Sequence, residues 1–166
     1  MNLPDCAAEL QKHGFTVLLY DPRTVGSSDG EPRNDIDPLQ AVRDMSDALT
    51  HLKSLPSVLH SQAGLFGISF GGAVALSTAA VDPRVRFTIA VAPLTDLDFI
   101  STPRRWRLLQ KCMKDRESQV FGNRPLIIPM VNDKGENVAG FGHDDVLGGN
   151  HLGMVVQSIV ALVAEL

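Results

Sequence analysis

"GLFGISFGGAV", residues 64–74, sets four glycines around a single serine, Ser69. Gly67, Ser69 and Gly71 form G-x-S-x-G. Upstream, Gly64 to Ile68 reads as a buried strand; downstream, Phe70 to Val81 reads as a helix lined with small residues and broken by Asp82 and Pro83. A strand that turns directly into a helix holds its corner residue in a strained conformation. It also brings the residues two before and two after so close that a Cβ would collide. Such a corner presents Ser69 Oγ as a nucleophile, provided the hydroxyl faces an open cleft, and sets the helix N-terminus against it. The Phe70 N–H then forms half of an oxyanion hole, worth about 3–4 kcal/mol if lost. The competing reading is a glycine-rich junction used for tight packing or phosphate cradling, but no G-x-G-x-x-G or Walker lysine accompanies it.

Outward from this corner, strands alternate with helices. Leu3 to His13 is a short amphipathic helix closed by Gly14, and Phe15 to Tyr20 is an apolar strand. A loop of turn formers follows, "TVGSSDGEPRNDID". Asp37 caps a helix with Pro38 in its first turn and Leu39, Val42, Met45, Leu49 and Leu52 recurring along one face until Pro56. Val85 to Ala92 is a third apolar strand, stopped by Pro93. Unbroken apolar strands separated by helices predict an α/β fold, a parallel sheet in a three-layer α/β/α sandwich. Beyond Asp96 come a basic helix, the apolar run "PLIIPMV", a Gly- and Asp-rich loop and a final apolar helix over Leu152 to Leu166. A helix apolar nearly all round is deeply buried or shared with a second copy, so a homo-oligomer through it is expected.

Length and composition narrow the function classes. At 166 residues with 44% hydrophobic and 20% charged content, residues 1–166 read as a single globular domain. A net charge of −4 argues against a nucleic-acid partner. The one basic run, Arg104, Arg105, Arg107, Lys111 and Lys114, surrounds Trp106, Leu108 and Leu109 and reads as a solvated helix face. The final apolar stretch is shorter than the roughly twenty residues that span a bilayer. Cys6 and Cys112 match no metal or redox spacing and no export signal opens the chain, so a reducing, cytoplasmic setting is expected.

Together, "YDPRTVGSSDGEP", "GLFGISFGGAVAL" and "RVRFTIAVAPLTD" resemble the α/β-hydrolase fold. The likeness is greatest to fungal α/β hydrolases similar to polyketide transferases and to dienelactone-hydrolase-like enzymes, over about residues 3 to 140. The resemblance implies Ser69 as nucleophile and Phe70 as oxyanion donor. It also implies a loop of the form D-x-R-G-x-G-x-S at Asp21 to Ser28, with Thr24 where glycine often stands, and a cap over residues 97–140. Relatives open with further strands and a His-Gly loop that completes the oxyanion hole, so the resemblance implies a fold incomplete here, shortened at both ends.

A serine needs a base to accept its proton and a carboxylate to orient that base. In the family's order, Ser then acid then His, only His143 and His151 follow Ser69, because His13, His51 and His60 precede it. His151, in "GGNHLG", is preferred; His143, in "GFGHDD", is the rival. For the acid, Asp133 follows "PLIIPMV" and Asp96 follows the third strand, while Asp144 and Asp145 read as loop solvation. No spacing fits a metal site, and no cofactor is implied. The expectation is a serine esterase, thioesterase or acyltransferase acting through an acyl-enzyme on a small ester or thioester, polyketide acyl groups included. The alternative is a catalytically impaired relative that keeps the corner as scaffold and serves as a binding or interaction module.

Overall fold

A computed structural model describes residues 3–59, 61–95, 102–128 and 160–164. The chain forms two compact units, Met1–Thr95 with His151–Leu166, and Asp96–Asn150.

In the first unit, helix α1 (Leu3–Lys12) leads through Gly14, at φ +81°, into strand β1 (Phe15–Leu19). Helix α2 (Pro38–Ser54) starts where Asp37 Oδ1 accepts from the Leu39 N–H at 2.9 Å and the Gln40 N–H at 3.3 Å. This cap satisfies two otherwise orphaned donors of the first turn. Strand β2 (Ala63–Ile68), helix α3 (Phe70–Val81) and strand β3 (Phe87–Val91) follow. Strand β4 (Val160–Ala164) completes a sheet of order β1-β4-β2-β3.

β2 and β3 are parallel, with Gly64 opposite Phe87 and Ile68 opposite Val91. β4 lies antiparallel to both β1 and β2, so β1, β2 and β3 share one direction. This corrects two expectations. Val160–Ala164 is a strand rather than part of a helix, and it runs against its neighbours in a sheet expected to be parallel throughout. A short, wholly apolar run carries no period that separates strand from helix, and its two valines favour the pleated surface. β4 lies between β1 and β2, and the remainder of the expected helix, residues 152–159 and 165–166, lies outside the described residues.

The strands alternate their side chains between two cores. On one face Leu65, Leu18 and Tyr20 meet Met45, Leu49 and Leu52 of α2 and Val74 and Ala75 of α3. On the other, Phe66, Ile68, Phe15 and Val17 meet Leu3 and Leu10 of α1. The result is three layers, and each fully buried Met or Leu contributes about 1.5–3 kcal/mol. Asp82, just past α3, ties the helices together. It accepts from Ser46 Oγ at 2.8 Å and from Arg84 Nε and Nη2 at 2.8 and 2.6 Å, while Arg84 also donates to Thr50 Oγ1 at 2.7 Å. The Arg84 guanidinium holds the Asp82 carboxyl well below the usual carboxylate range.

In the second unit, helix α4 (Thr102–Val120) is followed by a turn and a segment whose Leu126 N–H donates to Asp115 Oδ1 at 2.8 Å. Trp106, Leu109, Met113 and Val120 lie along one stripe of α4 and are exposed. Among the described residues no helix is long and apolar enough to cross a membrane.

Candidate functional site

β2 ends at Ile68, α3 begins at Phe70, and Ser69 alone makes the corner, with φ +56° and ψ −119°. That is left-handed backbone for a residue carrying a Cβ, a conformation neighbouring structure must enforce. Gly67 makes it feasible: a Cβ there would stand 2.1 Å from the Gly71 carbonyl oxygen. Gly72 does the same for the next strand over, since a Cβ on it would come within 3.1 Å of Pro93 Cβ. The Ser69 N–H donates to the Val91 carbonyl at 2.9 Å, and the Ser69 carbonyl accepts from Ala73 N–H and Leu94 N–H, both at 3.1 Å. Against the expected open cleft, Ser69 is 6% exposed as a whole residue, its main chain bonded to the first turn of α3 on one side and to the chain leaving β3 on the other.

The loop leaving β1 forms a wall beside the corner. Arg23 fastens it to α2 through Asp44 at 2.9 Å and Asp47 at 3.1 Å, and Gln40 Nε2 donates to Asp44 at 2.9 Å. Asp44 is buried, and Arg23 Nε, the Arg23 N–H at 2.9 Å and Gln40 Nε2 together satisfy a carboxylate that would otherwise be costly there. Asp21 accepts from the Ser27 N–H at 2.9 Å and its carbonyl from Ser28 Oγ at 2.6 Å. The Arg33 guanidinium donates to the carbonyls of Ser28 and Gly26, closing the loop on itself. Between loop and α2 lies a cavity of about 290 Å³ whose lining includes Val25, Ile36, Gln40, Asp44 and Phe70. Phe70, which follows the corner serine, thus borders this cavity. Nearby, the Tyr20 hydroxyl is buried and has no hydrogen-bond partner among the described residues. Burial first, then the Asp44 and Asp47 charges, push its pKa far up, so the phenol stays protonated.

Of the residues expected to form a site, Ser69 and Phe70 stand together at the corner. His151, His143, Asp133 and Asp96 lie outside the described residues. The contact of Val91 and Leu94 with Ser69 was not foreseen from sequence; Pro93 stopping its strand beside the glycine-rich turn was the available signal.

A strained serine between strand and helix, in a three-layer α/β unit, defines an α/β hydrolase. The sequence matches the family described as serine aminopeptidase, S33, over residues 2–165, and the chain belongs to this α/β-hydrolase family. It is 47% identical over 146 residues to a thiohydrolase of Eupenicillium brefeldianum, covering 86% of this chain and 46% of that one. It is 49% identical over 134 residues to the polyketide transferase grgF of Penicillium sp., covering 80% and 45%. The crystal structure of the α/β hydrolase GrgF from Penicillium sp. sh18 superposes with a TM-score of 0.68 at 43% identity, covering 96% of this chain and 55% of that one. The chain spans about half the length of the relatives it matches. Curated relatives of the chain carry the names thiohydrolase, polyketide transferase and acyltransferase.

Proposed function

We propose that the chain carries the nucleophile of a serine-dependent acyl hydrolase or acyltransferase, with Ser69 as nucleophile. Ser69 Oγ attacks the acyl carbon of an ester or thioester while its proton passes to a histidine, and Phe70 N–H donates to the oxyanion that forms. Collapse expels the alcohol or thiol, which takes that proton, and leaves an acyl-enzyme. Water or an alcohol then attacks it to release acid or ester and return the proton to Ser69. His151, with His143 as rival, is the proposed base, and Asp133, with Asp96 as rival, the carboxylate that orients it. Residues 97–140 are proposed as a cap. The relatives' names, thiohydrolase and polyketide transferase, favour a thioester-borne polyketide acyl group as substrate. The single observation behind the reading is Ser69 at φ +56° on a strand-to-helix corner that Gly67 leaves room for.

A second reading, a binding module that keeps the corner as scaffold, draws on the 6% exposure of Ser69. A fluorophosphonate probe separates the two. Covalent labelling of wild type that Ser69→Ala abolishes supports catalysis; folded wild type that never labels leaves the scaffold reading. In a protein that labels, His151→Ala and His143→Ala identify the base by a rate loss on the order of 10⁴- to 10⁶-fold.

A further inference from the structure

We infer that the turn leaving β3, Val91–Leu94, is a positioning clamp for Ser69 and that Ala92 is the residue that stiffens it; the inference rests on Ser69 being the reacting group. Ser69 holds a backbone conformation that only surrounding structure can impose. Among the described residues, two of the three main-chain bonds that hold it come from this turn. The Val91 carbonyl accepts from the Ser69 N–H, and the Leu94 N–H donates to the Ser69 carbonyl. Between that acceptor and that donor the chain bends at Ala92, at φ +44°, in the left-handed region that side chains disfavour.

The turn is braced from behind. Thr95 N–H donates to the Pro93 carbonyl at 3.0 Å, and Pro93 sits where a Cβ on Gly72 would come within 3.1 Å. Pro93 therefore bears on the first turn of α3, and Ser69 is gripped between its own helix and its neighbour strand's exit. Glycine at 92 would adopt the same backbone without strain but would visit many others. Alanine confines the turn to fewer conformations and keeps the Leu94 N–H aimed. Ala92 acts through the main chain of Ser69 rather than on the substrate.

Ala92→Gly tests this with a fluorophosphonate probe, reading the inactivation rate constant and the probe's reversible affinity separately, alongside Tm and amide hydrogen exchange. A clamp predicts an unchanged or higher Tm, a rate constant lower by about tenfold with affinity unchanged, and faster exchange at the Ser69 and Leu94 amides. A purely structural role would move Tm and leave the rate constant alone. An unchanged rate constant in protein that labels overturns the inference. If wild type does not label, the nucleophile reading fails on its own account and exchange decides the clamp: equal protection at both amides in the two proteins overturns it.

Discussion

Replacing Gly67 with alanine adds one methyl group where the fold has no room for it. The new Cβ would stand 2.1 Å from the Gly71 oxygen, 2.3 Å from its carbonyl carbon and 2.6 Å from the Gly72 nitrogen, all main-chain atoms. Ordinary contact begins near 3.4 Å, so strand and helix must separate by about 1.3 Å. Neither partner yields readily. Pro93 presses on α3 at Gly72, and Ser69 is bonded to both β3 and its exit turn. Overpacking against rigid backbone belongs at the upper end of its range, about 3 kcal/mol or more. For a chain of this size that lowers Tm by roughly 6–12 °C. A displacement of about 1 Å at Ser69 should also slow fluorophosphonate labelling about a hundredfold, measured well below the variant's Tm. A Gly67→Ala protein within about 0.5 kcal/mol of wild type by urea denaturation, below the overpacking range, would refute the claim that this glycine exists for the corner.

Two further changes probe the support around the corner. Arg84→Ala leaves the buried Asp82 carboxylate without its main partner and should destabilise by about 2 kcal/mol at pH 7, discounted because Arg84 is partly exposed. Because the Asp82 pKa is lowered in the folded state, the pair's contribution is present above the unfolded value of about 4 and is lost as pH falls through the folded value. Wild type should therefore lose stability more steeply than Arg84→Ala below pH 4 in urea titrations, and parallel acid limbs would contradict the assignment. Tyr20→Phe removes a buried hydroxyl that has no partner among the described residues, so its urea midpoint should stay level or rise by the equivalent of about 1 kcal/mol. A clear loss of stability would mean the hydroxyl is bonded after all.

What could be read from sequence was whatever local chemistry determines alone. Asp37 with Pro38 marked the start of α2, Pro56 and Pro83 lie just beyond the ends of α2 and α3, and the four glycines around Ser69 located the corner. Each of these is a steric or capping rule acting within a few residues. What could not be read depended on partners distant along the chain. Val160–Ala164 is a strand because β1 and β2 flank it across the sheet, and nothing in five apolar residues reveals that pairing. The low exposure of Ser69 has the same origin, since the enclosing turn follows a strand some twenty residues later.

Thr24 shows how far a departure from a family pattern can be absorbed. The resemblance places glycine there, and the structure gives the reason: Thr24 sits at φ +69°, where a β-branched residue is disfavoured by roughly 1–2 kcal/mol. The main-chain bonds of this residue, N–H to the Asp29 carbonyl at 2.8 Å and carbonyl from the Asn34 N–H at 2.9 Å, are ones glycine would share, but threonine adds a side-chain bond, Oγ1 to the Asp35 carbonyl at 2.8 Å. The side-chain bond contributes about 1 kcal/mol, and threonine loses less backbone freedom on folding than glycine by about another 0.5–1 kcal/mol. These terms offset the strain to within its uncertainty, so the loop keeps the shape that glycine would have allowed. The wall of the cavity beside Phe70 therefore keeps its shape with threonine at this position.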